Sequence, residues 1–213
     1  MEPNRRVKPS LRGHFHQESF FIAIGACAVL IATTPSSQKL IAALIYSASL
    51  VSLLGISALY HRPQWGDRAR VWMRRLDHAA IFILIAGTFT PIGMLALPET
   101  TGNKLLWIIW LFAVFGVLKS LFWVQSPKWF TAILCVVMGW VAFPYLPQLS
   151  SQLGADSVAL IYLGGIIYTL GAVVYALKRP NPYPAVFWYH EIFHLMVAVA
   201  AACHFIVIFR LVG

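Results

Sequence analysis

The sequence predicts an all-α fold, a polytopic membrane protein built as a seven-transmembrane helix bundle, and three observations predict it. Hydrophobic residues make up 60% of the 213 residues and charged residues only 11%, too little polar surface for a soluble domain of this length. Mean hydropathy is +0.75. Apolar runs follow one another with short polar breaks, each run near the roughly 20 residues that cross the hydrocarbon core of a bilayer. Together they occupy most of the chain, so residues 1–213 read as one membrane domain, with a short basic segment over 1–19.

The runs cover residues 20–33, 40–60, 79–97, 105–122, 130–146, 158–177 and 187–212. Proline and polar clusters separate them: Pro35-Ser-Ser, Pro98-Glu-Thr-Thr-Gly, Ser126-Pro, the stretch 147–154 and Arg179-Pro-Asn-Pro. Pro91 falls inside the third run, where neighbouring helices can satisfy the freed backbone groups. Gly164, Gly165 and Gly171 in the sixth predict close helix packing. The first run follows a basic start, as a cleavable signal peptide would. No small-x-small site follows Ala32-Thr-Thr, so it is read as a retained span.

Charge sets the expected direction. Alternating spans place Arg5, Arg6, Lys8, Arg12, the five arginines at 62, 68, 70, 74 and 75, Lys119, Lys128, Lys178 and Arg179 on one side, against Lys39, Lys104 and Arg210 on the other. This bias predicts a cytoplasmic N-terminus and an outer C-terminus in a multi-pass protein of the cell membrane. The net charge of +9 is scattered through loops rather than gathered on a soluble face, which argues against nucleic acid as a partner. Cys27, Cys135 and Cys203 all lie within apolar runs, with no C-x-x-C pair, and read as small buried hydrophobes.

Ionisable groups near the spans are few, and each is costly in a membrane. Ser57 and His61 stand one helical turn apart at the end of the second span, and His190 and His194 likewise at the start of the seventh. Asp77 opens the third. With the expected direction, all of them share the cytoplasmic depth. Three neutral histidines with an open fourth position are a catalytic zinc set, so His61, His190 and His194 are the predicted metal ligands. Zinc so held lowers the pKa of a water toward neutrality for attack on a carbonyl. Asp77 is the candidate general base and Ser57 the donor to a developing oxyanion. Other readings stand beside these. Asp77 can pair with Arg74 or Arg75, or sit where a helix N-terminus welcomes an anion. His78 points about 100° away from Asp77 on a helix and reads as a neighbour of the site. His204 reads as a hydrogen-bonded histidine within the bundle, and His14 and His16 as interfacial, although His16 can line the way in.

His190-Glu191-Ile192-Phe193-His194 also matches H-E-x-x-H, in which Glu191 would be the base of a zinc protease. That pattern needs a third ligand downstream. Only nineteen residues follow His194, none of them acidic, and the plain alternative for Glu191 is an ion pair with an inner arginine.

The stretches Ser57-Ala-Leu-Tyr-His61-Arg-Pro, Arg75-Leu-Asp77-His78 running on to Thr90-Pro91, and Tyr189-His190-Glu-Ile-Phe-His194 with Cys203-His204-Phe resemble the hemolysin III proteins. These are the bacterial branch of the progestin and adiponectin receptor (PAQR) family, related to alkaline ceramidases. The resemblance spans nearly all the chain and implies a seven-helix bundle with an intracellular zinc site. It carries the zinc histidines onto His61, His190 and His194, the water-holding aspartate onto Asp77 and the family serine onto Ser57. The Glu/Asn/His element often found before the first span is replaced here by Arg12-Gly-His-Phe-His16-Gln-Glu18.

The resemblance implies a zinc-dependent hydrolase acting on a membrane lipid amide, with membrane lipids as partners. Two other readings are a non-enzymatic sensor of membrane lipid state with structural zinc, and a pore-forming hemolysin. A pore would show polar rings at several depths, whereas the polar residues here gather at one. The seventh run has no lysine for a retinal Schiff base.

Overall fold

The structure, a computed structural model, describes residues 8–183 and 185–213. Arg5 and Arg6, counted above among the inner cations, lie outside the described residues. Helices α1 (His14–Ala32), α2 (Ser37–His61), α3 (Asp67–Leu95), α4 (Glu99–Phe122), α5 (Lys128–Gly139), α6 (Leu146–Leu153), α7 (Ala155–Leu177) and α8 (Tyr189–Val212) follow in order, with a short 3-10 turn at Phe143–Tyr145 before α6. There is no strand among the described residues. Seven segments are long and apolar enough to cross a membrane, the fifth of them being α5 to α6 taken together, Lys128–Leu153.

The helices close into a ring. α1 packs on α2 and α8, α2 on α3, α3 on α4, α5 on α7, and α7 on α8, while α3 and α8 also meet across the middle. Short loops force neighbours to run antiparallel. The C-terminal ends of α2, α4 and α7 and the N-terminal ends of α1, α3, α5 and α8 therefore gather at one end of the bundle. Every described cation of the larger group separated by the charge bias lies toward that end, called here the basic end. Tyr46, Leu50 and Leu54 from α2, Phe82, Leu84 and Phe89 from α3, and Val197, Ala201 and Ile208 from α8 form the core. Phe21, Ile22, Trp107, Leu111 and Leu170 face outward, an arrangement that only a lipid surround leaves without cost.

Three boundaries depart from the sequence reading. α3 begins at Asp67, so Asp77 lies nearly three turns inside the helix rather than at its N-terminus, and the terminal dipole does not hold it. α1 begins at His14 and takes in the last residues of the segment expected to precede the first span. The stretch 147–154, expected as a loop, is mostly helical. Pro144 and Pro147 interrupt the fifth span, but proline is tolerated in a first helical turn, and Pro147 stands there in α6. Gly154, at φ 78°, ends it.

Close packing depends on small residues. A Cβ on Gly164 would meet His204 Nε2 at 2.4 Å, as the sixth-span glycines predict, whereas at Gly165 the nearest neighbour is Trp140 at 3.7 Å. The tightest approach joins α3 to α4, where a Cβ on Gly102 would lie 2.0 Å from the carbonyl oxygen of Gly93. Backbone cannot step aside as a side chain can. Gly102→Ala should therefore lower stability by about 1–3 kcal/mol, read as thermal unfolding of the purified protein in detergent. Gly25→Ala, where nothing lies within 4 Å, should not.

Candidate metal centre

His61 is the last residue of α2, and His190 and His194 stand one turn apart at the start of α8. Antiparallel packing brings all three together at the basic end. One nitrogen from each lies within 4.8 Å of the others, and all three side chains are buried. The Nε2 atoms of His61 and His190 are 3.2 Å apart. Two nitrogens on one tetrahedral zinc, each at about 2.0–2.1 Å, stand roughly 3.3 Å from each other, so the donor set fits the ion. Asp77 is buried beside it, with Oδ2 3.9 Å from His61 Nε2, and makes no ion pair with Arg74 or Arg75.

Ser57 lies one turn before His61 and faces the same space. Its Oγ is 2.8 Å from Nδ1 of His16. His16 stands inside the site rather than at the interface. It is 2% exposed, and its ring stacks on His194 with centroids 3.8 Å apart and planes within 4°. If Nδ1 carries the proton and donates to Ser57, the serine hydroxyl hydrogen is free to point at a reacting group. The sequence marked His16 only as a residue that could line the way in, and it does line the cavity; its step of one turn before Phe20 on the inward face of α1 is the signal that could have placed it in the site.

The chain just before α1 straps the site. The backbone N–H groups of Ser10 and Leu11 donate to the carbonyls of Ala185 and Val186, at 3.1 and 3.3 Å. Gly13 then turns with φ 81°, a left-handed conformation glycine adopts freely. A Cβ there would sit 2.7 Å from Cβ of His61. Lys8 Nζ donates to the Arg62 carbonyl at 3.0 Å. Burial and the nearby Arg62, Arg12 and Arg70 lower the pKa of this lysine, a sign of uncompensated positive charge at this end.

Glu191 does not face the histidines. It pairs with Arg12, and its Oε2 accepts the Trp188 backbone N–H at 2.8 Å, capping α8. The arginine pairing expected for it is thus present, and the base position of H-E-x-x-H is not filled. His78 lines the cavity described next without joining the cluster, and His204 donates from Nε2 to the Ile161 carbonyl at 3.3 Å.

A cavity of about 160 Å³ runs from this cluster into the bundle. Its basic end is polar, lined by His16, Ser57, Asp77, His190 and His194, while the remainder is mostly apolar, with Leu84, Ile92, Val136, Leu146, Val197 and Ile208 among its lining. Eight residues of α3, the first Asp77 and the last Ile92, border it along about 22 Å of helix.

These features define a class: a seven-helix membrane protein with a buried three-histidine, one-aspartate centre at one end of an apolar cavity. The chain belongs to the haemolysin-III-related family, whose profile matches residues 4–205. It is 30% identical over 193 residues to the Hemolysin-3 homolog of Bacillus subtilis, covering 89% of this chain and 87% of that one. With Hemolysin-3 of Bacillus cereus it shares 29% over 170 residues, 80% and 74% of the two chains. With the human monocyte to macrophage differentiation factor it shares 26% over 219 residues, 97% and 87% of the two.

The Arg12–Glu191 pair makes a separate test. Glu191 is 1% exposed, and removing its cation leaves a buried charge uncompensated. Arg12→Met should cost about 3–5 kcal/mol, measured by thermal unfolding, and Glu191→Gln placed in that background should recover part of it.

Proposed function

We propose that this protein is a zinc-dependent hydrolase of a membrane lipid amide, with its site at the cytoplasmic face of the cell membrane. The observation that carries the reading is a water-activating donor set placed at the polar end of a long apolar cavity. Such a cavity suits an acyl chain, and its position sets the adjoining carbonyl among His61, His190, His194, Asp77 and Ser57. The thirteen-to-three bias in lysine and arginine supports the cytoplasmic placement.

His61, His190 and His194 would hold the ion through one nitrogen each. Bound zinc supplies a Lewis acid that acidifies water and polarises the amide carbonyl. Asp77 takes the proton from the attacking water and later delivers it to the leaving nitrogen. Ser57 donates its hydroxyl hydrogen to the carbonyl oxygen as negative charge builds there. The His16 stack fixes the plane of His194, and the His16–Ser57 bond fixes the serine rotamer. Overall, one amide and one water become a carboxylic acid and an amine. The carbon–nitrogen bond breaks, a carbon–oxygen bond forms, and both protons of the water end on products.

One observation favours a second reading, a non-enzymatic lipid sensor with structural zinc. The histidines join the ends of α2 and α8, which pack on each other, so an ion there would also tie those helices together.

Metal analysis of the purified protein should find about one zinc per chain, and His61→Ala or His194→Ala should remove most of it. Equal zinc in all three would end both readings. Asp77→Ala then divides them. A hydrolase should keep its zinc and its unfolding temperature while fatty-acid release from acyl amides falls by about 10²-fold or more. Wild-type protein that is loaded with zinc and releases nothing from any lipid amide would leave the structural reading.

A further inference from the structure

Three cations stand around the basic end of the cavity and are not used by the chemistry above. Lys119, on α4, is 7% exposed. Its ammonium donates to Oγ1 of Thr131, and Thr131 lines the cavity. Lys128 lies one turn before Thr131 on α5. Its Nζ donates to the Tyr189 hydroxyl at 2.9 Å and stands 4.6 Å from the ring of Tyr175, another lining residue. Arg74 lies one turn before the cavity residue His78 on α3, the helix that packs on α4 and touches α5. None of the three makes an ion pair with a carboxylate among the described residues.

Loop cations that only record orientation, such as Arg68 and Arg70, are exposed. Lys119 is not. Removing an ammonium from water without a counter-charge is costly, and one neutral hydroxyl with the Phe130 ring at 6.0 Å does not offset that. An anion between α3, α4 and α5 would. Tyr175, whose ring Lys128 stands over, lines the same cavity as Asp77, so the anion position adjoins the cavity that holds the proposed reaction centre.

We propose that Arg74, Lys119 and Lys128 form a binding site for the anionic headgroup of a lipid whose acyl chain lies in the apolar cavity. A basic pocket between membrane helices is the chemistry that selects phosphate-bearing lipids. The proposal rests on the cavity being an acyl site, as in the preceding reading, and narrows the substrate to acyl amides that carry an anion.

The test measures binding and so does not depend on turnover. Full-length protein in neutral detergent is titrated with phosphatidylglycerol, with phosphatidylcholine of the same chains, and with inorganic phosphate, following the unfolding temperature. Phosphatidylglycerol should bind at least about tenfold more tightly than phosphatidylcholine, and free phosphate should stabilise far less. Lys128→Gln and Lys119→Gln should each cut the preference by about fivefold, the worth of one cation beside an anionic lipid. Arg68→Gln should leave it intact. If Lys119→Gln does not fold, the half-buried Lys128 decides alone. Equal affinity for the two lipids, a preference that survives the lysine substitution, or phosphate matching the lipid would overturn the proposal. Amide hydrolysis can fail while this selectivity stands, and selectivity can fail while hydrolysis stands.

Discussion

Ionisable groups cannot be taken out of water singly, and the end of this bundle is organised around that constraint. His61, Asp77, His190 and His194 are each less than a tenth exposed. They are tolerable only as a set, sharing protons, hydrogen bonds or an ion. Assembling the set requires α2 to end and α8 to begin at one depth, with α3 passing between. The loop before α3, the strap over residues 8–13 and the Arg12–Glu191 pair then hold those ends in register. Gly13 has to be small because the strap crosses directly over Cβ of His61.

The sequence exposed the parts whose physics is periodic or sparse. Seven spans were legible because lipid demands long unbroken apolar runs, and the cluster of His61, His190 and His194 beside Asp77 was legible because histidines and an aspartate in such runs are rare. The helix-spaced pairs Ser57/His61 and His190/His194 needed only the period of the helix. What stayed hidden depends on tertiary contact. Residue 16 looked interfacial because it precedes the apolar run, yet α1 begins two residues earlier and turns His16 onto His194. Asp77 looked like a helix start because polar residues precede it, but ten residues of amphipathic, arginine-rich sequence extend α3 beyond the apolar stretch. The stretch 147–154 looked like a loop because proline reads as a stop, when in a first turn it reads equally as a start.

Division of polarity along the cavity constrains function more than the metal set does. A conduction path needs polar contacts at successive depths. Here His16, His78, His190, His194, Asp77 and Ser57 share one end, and aliphatic and aromatic side chains line most of the rest. His204, Thr88 and Thr169, further in, are committed to the Ile161, Leu84 and Gly165 carbonyls. A lining of that kind would disfavour a file of ions and would suit a molecule that is itself polar at one end. An amphiphile lying along α3 would bring its head to the histidines without leaving the depth its own leaflet gives it. The same geometry accounts for the interrupted fifth span. α5 leans on α7 and touches α3 at few points, so the space beside α3 stays open to a chain instead of being filled by a helix.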